Sequence, residues 1–217
     1  MGLVCILIRC NLTIKFSSNE IFIPRYEITN DINALQHIRL IQLLNWPIIK
    51  KRMHETYPMI QSVSLSWQHF PTIDVLIKEK SPWVMIINKN DPKIFSEDGT
   101  LLNKNLSDVE LPNNNILIVS AATDLIQNDQ IKSDSLSVLQ NIAKLLEQVP
   151  LLNLQQIIFK DGSIQIIEES GLIINVGNQK HLKEKFLMLK YFIGENRKKM
   201  HEMQLIDIQF PKRVIIK

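Results

Sequence analysis

Residues 162–217 decide the architecture that we expect for this chain, and they form three consecutive blocks. The blocks are GSIQIIEESGLIINVG (162–177), NQKHLKEKFLMLKYFIGENRKKM (178–200) and LIDIQFPKRVIIK (205–217). Alternating apolar residues in the first block predict two strands, and apolar residues at helical spacing in the second predict an amphipathic helix. The third block predicts a closing strand. Such a strand needs a neighbour, so the functional question is which neighbours it has.

The composition is that of an ordinary globular protein. The 217 residues can build one or two domains, with 45% apolar and 22% charged side chains. A formal net charge of +3 argues against a nucleic-acid-binding protein, which needs a concentrated basic surface. The two cysteines, Cys5 and Cys10, lack the spacing and the second pair that a zinc site needs, and they predict no disulfide framework.

The opening segment MGLVCILIRCNL (1–12) is apolar but shorter than the ~20 residues of a membrane-spanning helix. It also lacks the basic start and the small-residue cleavage site of a signal peptide. Three interpretations stay open for it: a buried first strand, a terminal extension, or the end of a membrane helix that begins upstream.

Residues 20–81 predict a small sheet covered by two helices. A strand is expected at 20–24, helices at 32–44 and 48–56, and alternating strands at 60–67 and 72–78. The resulting order is strand, helix, helix, strand, strand, which places both helices on one face of the sheet.

Residues 82–217 predict a larger, mostly antiparallel sheet with helices, so the whole chain is expected to be α+β. A hairpin at 94–102 turns at Asp98–Gly99, and a meander turns at Asp161–Gly162 and Ser170–Gly171. Strands are predicted at 83–88, 116–120, 154–160, 163–168, 172–176, 205–210 and 214–217, and helices at 135–148 and 179–198.

The motifs of catalysis and cofactor binding are missing from the sequence. The turn Gly177–Lys180 joins a strand to a helix, where phosphate-binding loops occur, but it lacks the glycine-lysine pattern of those loops. The five histidines are dispersed and form no metal-binding pair. We therefore predict a binding protein without catalytic residues, metal or cofactor. An enzyme that binds a phosphorylated ligand at Gly177–Lys180 is a weaker hypothesis.

Several segments in order resemble a known family. YPMIQSVSLSW (57–67) and FPTIDVLIKEKSP (70–82) are similar to the end of a POTRA domain and the following linker in the FtsQ/DivIB bacterial cell-division proteins. IFSEDGTLL (94–102) resembles the hairpin of that family, and residues 172–217 resemble its closing block. Within this block the family order is kept by Gly177, Lys185, Leu189, Asp207 and Val214.

Two positions depart from the family pattern. Gln209 stands where the family usually has an arginine, and Lys80 replaces another arginine. The resemblance also implies a transmembrane helix that this sequence lacks, which favours the interpretation of Val4–Ile8 as the end of a membrane span.

The resemblance implies an N-terminal stub (1–19), a POTRA-like βααββ domain (20–81) and an FtsQ/DivIB-type β-domain (82–217). It implies a single-pass protein of the plasma membrane, with most of the chain outside the cytoplasm at the division septum. The expected function is a non-catalytic scaffold that binds FtsB/DivIC-like and FtsL-like coiled-coil proteins and coordinates septal peptidoglycan synthesis. An alternative is a POTRA-containing component of outer-membrane protein assembly or secretion.

The predicted mode of binding is the addition of a partner strand to an exposed C-terminal edge strand. The basic pair Lys212–Arg213 is the weaker part of this prediction. Alternation in a strand requires about half of the apolar side chains to pack inward. The predicted partner-binding residues are Ile208, Gln209, Phe210, Lys212, Arg213, Val214, Ile215 and Ile216.

Overall fold

The chain folds into two compact units, residues 1–81 and 82–217, each built on its own sheet. Its structure, a computed structural model, describes residues 11–16, 28–30, 45–69, 72–88, 91–103, 116–121, 125–149, 152–211 and 213–217. Strands and helices both contribute, so the prediction of an α+β fold is confirmed.

A three-stranded mixed sheet forms the first unit. Its described elements are β1 (Asn11–Phe16), α1 (Trp46–Thr56), β2 (Ile60–His69) and β3 (Thr72–Glu79). The strand order is β1-β3-β2, with β1 parallel and β2 antiparallel to β3. Alternate residues of the strands, including Val63, Val75 and Ile77, pack with Met53 of α1 in one core.

The first unit begins earlier than the sequence prediction placed it. Residues 11–16 lie in the segment 1–19 that we assigned to a stub, but they form β1 and pair with β3 over its length. Because β3 is about 60 residues away in sequence, no local pattern predicts that residues 11–16 pair with it. The predicted strand at 20–24, the whole of the predicted helix at 32–44, and Val4–Ile8 lie outside the described residues.

The second unit contains a nine-stranded sheet in the order β14-β13-β12-β11-β10-β7-β4-β5-β6 and a separate hairpin, β8-β9. Its helices are α2 (Ser133–Glu147) and α3 (Leu182–Asn196), and a 3-10 turn, Arg197–Glu202, follows α3. The strands are β4 (Pro82–Asn88), β5 (Asp91–Ser96), β6 (Leu101–Asn103), β7 (Leu117–Ala121), β8 (Ile126–Gln127), β9 (Gln130–Ile131), β10 (Leu154–Lys160), β11 (Ser163–Glu168), β12 (Ile173–Gly177), β13 (Leu205–Asp207) and β14 (Ile215–Ile216).

The predicted meander is confirmed as β10-β11-β12, an antiparallel run. Its first turn has positive φ at Asp161 (50°) and Gly162 (75°), which matches the right-handed twist of a hairpin and suits aspartate and glycine. The large sheet also contains three parallel pairs, β4 with β7, β7 with β10, and β12 with β13. It is therefore mixed, although antiparallel pairs are the majority.

Helices α2 and α3 pack on one face of the large sheet. The apolar side predicted for the last helix is buried there through Leu182, Phe186, Leu189 and Ile193. These side chains share a core with alternate strand residues such as Ile174 and Ile206. No helix within the described ranges is long and apolar enough to cross a membrane.

Candidate partner-binding edge

Strand β14 is the outermost strand of the large sheet and pairs only with β13 among the described strands. Next to it, the N–H of Lys217 donates to the carbonyl of Leu205, and the N–H of Leu205 donates to the carbonyl of Lys217, both at 3.1 Å. The predicted closing strand therefore lies at the edge of the sheet.

The polar backbone groups of Ile216 point away from the sheet. In an antiparallel ladder, residue pairs that exchange two hydrogen bonds alternate with pairs that exchange none. Because Leu205 and Lys217 exchange two, the neighbouring pair Ile206–Ile216 exchanges none. The N–H and C=O of Ile216 therefore face the outer side, where an added strand could bond to them.

Three large apolar side chains are exposed at this edge: Phe210 (59% exposed), Ile215 (47%) and Ile216 (47%). Ile216 is paired with buried Ile206 and so lies on the helix-covered face, whereas Ile215 is paired with Asp207 on the opposite face. A partner strand would therefore meet apolar side chains on both faces of the edge.

Ile208 is removed from the predicted contact residues, because only 1% of it is exposed. It continues the alternation that buries Ile206, and its N–H donates to the carbonyl of Asn175 at 2.9 Å. Val214 is half-buried and packs against the same core. Both side chains stabilise the last strands by packing in the core of the second unit, and neither is part of an exposed contact surface.

Residues 208–214 connect the two closing strands. The N–H of Arg213 donates to the carbonyl of Phe210 at 3.2 Å, and the Arg213 side chain is exposed. Arg213 can therefore meet an acidic partner beside the edge. Lys212, the other predicted cation, lies outside the described residues.

Gln209 takes part in a polar cluster behind the edge. Its N–H donates to Asp207 Oδ1 at 2.9 Å, and Asn175 Nδ2 donates to Asp207 Oδ2 at 3.4 Å. Its side chain covers Gly177 so closely that a Cβ added there would lie 2.7 Å from Gln209 Cγ. Gln209 therefore holds the end of β12 against the segment that follows β13.

Lys185 of α3 anchors the same region from the helix side. The residue is 1% exposed, and its Nζ donates to the carbonyls of Val176 at 2.9 Å and Asn178 at 2.8 Å. Burial lowers the pKa of Lys185, and the nearby carboxylate of Asp207 partly opposes that shift. The sequence pattern did not predict that Lys185 would be buried, although Lys185 lies three residues after Leu182 on the buried side of the helix.

The turn that suggested a phosphate loop is held by internal hydrogen bonds. Lys185 Nζ bonds to two carbonyls there, and the N–H of Lys180 donates to Asn178 Oδ1 at 3.0 Å. Across the ranges that the structure describes, histidine, cysteine, aspartate and glutamate side chains form no group that could hold a metal ion.

Comparison with known proteins adds no family to this description. No protein-family model and no curated protein matches the chain.

Proposed function

We propose that this protein is a non-catalytic scaffold of the division septum, of the FtsQ/DivIB kind. It binds FtsB/DivIC-like and FtsL-like coiled-coil proteins and so coordinates septal peptidoglycan synthesis. It is anchored in the plasma membrane by a single span, with both units outside the cytoplasm.

One observation carries the binding mode: β14 is an edge strand whose Ile216 peptide groups face outward, beside three exposed apolar side chains. A partner segment in extended conformation would form main-chain hydrogen bonds with Ile216 and cover Ile215 and Phe210. The buried aromatic and aliphatic surface would provide affinity, and the alternating faces would set the register.

The described part of the first unit supports the POTRA-like assignment. A strand, a helix and two further strands follow one another, and the helix packs on one face of a three-stranded sheet. Residues 28–30 are also helical, in the interval where the βααββ order requires the first helix. We propose a POTRA-like domain on this order of elements.

Gln209 changes how the edge would recognise its partner. An arginine at this position would offer a cation, whereas the Gln209 side chain is turned toward Asp207 and Gly177. Binding in this protein therefore depends on strand pairing and apolar contact, with exposed Arg213 as a cation that an acidic residue can reach.

The proposal is tested by comparing Ile216→Pro with Ile216→Ala. Proline removes the outward N–H and tolerates an edge position, while alanine keeps that N–H and removes most of the side chain. In pull-downs with the FtsB/DivIC-like and FtsL-like proteins of the same organism, Ile216→Pro should weaken binding by about tenfold or more. Ile216→Ala should bind more tightly than Ile216→Pro.

Thermal unfolding of both variants controls for the fold. Because the alternation of the antiparallel ladder directs the Ile216 N–H away from β13, each variant should unfold close to the wild-type temperature. Equal recovery of partners by the wild-type protein and Ile216→Pro would rule out pairing at this edge. A truncation after Gln204 is a poorer test, since it also removes the buried residues Ile206 and Ile208.

A further inference from the structure

Among the strands that the structure describes, β2 forms a second edge, in the first unit. It spans ten residues, Ile60–His69, which makes it the longest described strand, and it pairs only with β3 among the described strands. Its register with β3 is regular from Ser62 to Trp67, and irregularities flank this stretch on both sides. The outer side of β2 is therefore a straight row of alternating N–H and C=O groups.

The sequence of this edge lacks the residues that normally prevent strand pairing. Long edge strands in monomers usually carry a lysine, a proline or a central bulge. The opposite edge strand, β1, has Lys15, and β14 lies between Arg213 and Lys217. The stretch Ile60–Gln68 contains no charged residue, proline or glycine.

The sequence of β2 is complementary to itself. In an antiparallel pair centred on Ser64, Ser64 lies opposite Ser64 of the second copy, Ser62 opposite Ser66, and Val63 opposite Leu65. Serines then share one face and apolar residues share the other. A slip by one residue would place Val63 opposite Ser64 and would mix the two faces.

Exposure along the strand agrees with this register. Ser64 is exposed at the centre, and Trp67 is 55% exposed near one end, although tryptophan is a residue that interfaces usually cover. At the ends of the centred pair, Trp67 lies near Gln61, which is also exposed and lies at the irregularity between Ile60 and Ser62. Val63 and Leu65 would extend the apolar face that already packs in the core of the first unit.

We propose that two copies of this protein associate through β2, antiparallel and about a two-fold axis at Ser64. The two three-stranded sheets then form one continuous sheet. The proposal rests on the first unit alone and is independent of partner binding at β14.

Cysteine cross-linking tests the register. In a protein whose Cys5 and Cys10 are replaced by serine, Ser64→Cys places two thiols directly opposite each other across the axis. Mild oxidation should then give a disulfide-linked dimer. Gln61→Cys is the matched control, because its thiol would face Trp67 and should give no dimer. Cross-linking of both variants would indicate parallel pairing and overturn the proposal, as would cross-linking of neither.

Sedimentation equilibrium of the full chain tests the association itself. Ser64→Lys places two like charges opposite each other and should raise the dimer dissociation constant by about tenfold. Gln165→Lys, at an exposed position of the internal strand β11, should leave it unchanged. Circular dichroism would show that both variants are folded. A wild-type chain that stays monomeric, or a dimer that Ser64→Lys does not weaken, would overturn the proposal.

Discussion

Lys185 shows how one buried charge connects a helix to the turn before it. Its ammonium group replaces water with two carbonyl oxygens and the Asn178 side chain, and Asp207 lies close enough to influence its charge. This arrangement positions α3 against the end of β12, and so positions the crossover that leads to the closing strands.

We expect Lys185→Met to destabilise the protein by about 1–3 kcal/mol, because the two carbonyls lose their donor. Burial places the folded-state pKa of Lys185 below its ordinary value of 10.5. Between that lowered pKa and 10.5, the unfolded chain binds more protons, so the contribution of Lys185 to the free energy of unfolding rises with pH. Urea unfolding should therefore show a larger penalty for Lys185→Met near pH 10.5 than at neutral pH. A penalty that shrinks as the pH rises would contradict this.

Gly177→Ala should destabilise the protein for two separable reasons. A φ of +70° is unfavourable for alanine by about 1–2 kcal/mol, and the new Cβ would lie 2.7 Å from Gln209 Cγ. Gly162→Ala is a matched control, because its φ is +75° but nothing lies within 4 Å of the added Cβ. Urea unfolding should show a larger loss for Gly177→Ala, and Gln209→Ala in the same chain should reduce the difference, because it removes Cγ but keeps the Gln209 Cβ at 3.2 Å. Equal losses in Gly177→Ala and Gly162→Ala would show that the contact between residue 177 and Gln209 does not contribute to the loss.

At the scale of elements, strand β1 is attached to β3 by a charge pair as well as by backbone hydrogen bonds. Lys15 Nζ lies 2.8 Å from Asp74 Oδ2; the Asp74 side chain is only 3% exposed, and its Oδ1 makes no hydrogen bond. Lys15→Met would leave this carboxylate without its cation.

We therefore expect Lys15→Met to destabilise the protein by about 1–3 kcal/mol, and Lys15→Met with Asp74→Leu to recover most of that loss. Urea unfolding of the two single variants and the double variant measures the coupling. Additive losses would show that the pair does not hold β1.

The elements that the sequence predicts well are those with local causes. The hairpin turns at Asp98–Gly99 and Asp161–Gly162 join strands that are adjacent in the chain, so the residues between them determine the pairing. The parallel pairs of β7 with β4 and β10, and the pairing of β1 with β3, join distant segments. No local pattern specifies such partners, which is why they were not predicted.

For the closing edge, the sequence predicted where the strand lies but not which of its side chains are buried. Alternation located a strand after residue 204, and the structure places its last residues at the edge of the sheet. Which side chains face inward depends on the pairing of Ile206 with Ile174 and Ile216, and this pairing buries Ile208. The sequence pattern alone does not contain that information.

At the scale of the whole molecule, the two units have separate hydrophobic cores. Buried residues such as Val75 and Ile77 form one, and residues such as Ile157 and Leu189 form the other. Each unit therefore has the means to fold alone.

Residues 82–217, expressed alone, should unfold cooperatively within about 4 °C of the corresponding transition in the full chain. Thermal unfolding followed by circular dichroism measures this. The fragment lacks β2 and should remain monomeric in sedimentation experiments. A fragment without a cooperative transition would show that the second unit depends on the first.

The parallel pairing of β12 with β13 also determines when the edge can form. Two parallel neighbours cannot be joined by a short turn, so α3 and the 3-10 turn must cross over before β13 can pair, and β14 pairs only with β13 among the described strands. The edge can therefore form only after β13 has paired with β12, and a partner that pairs with β14 would select molecules in which this crossover is complete.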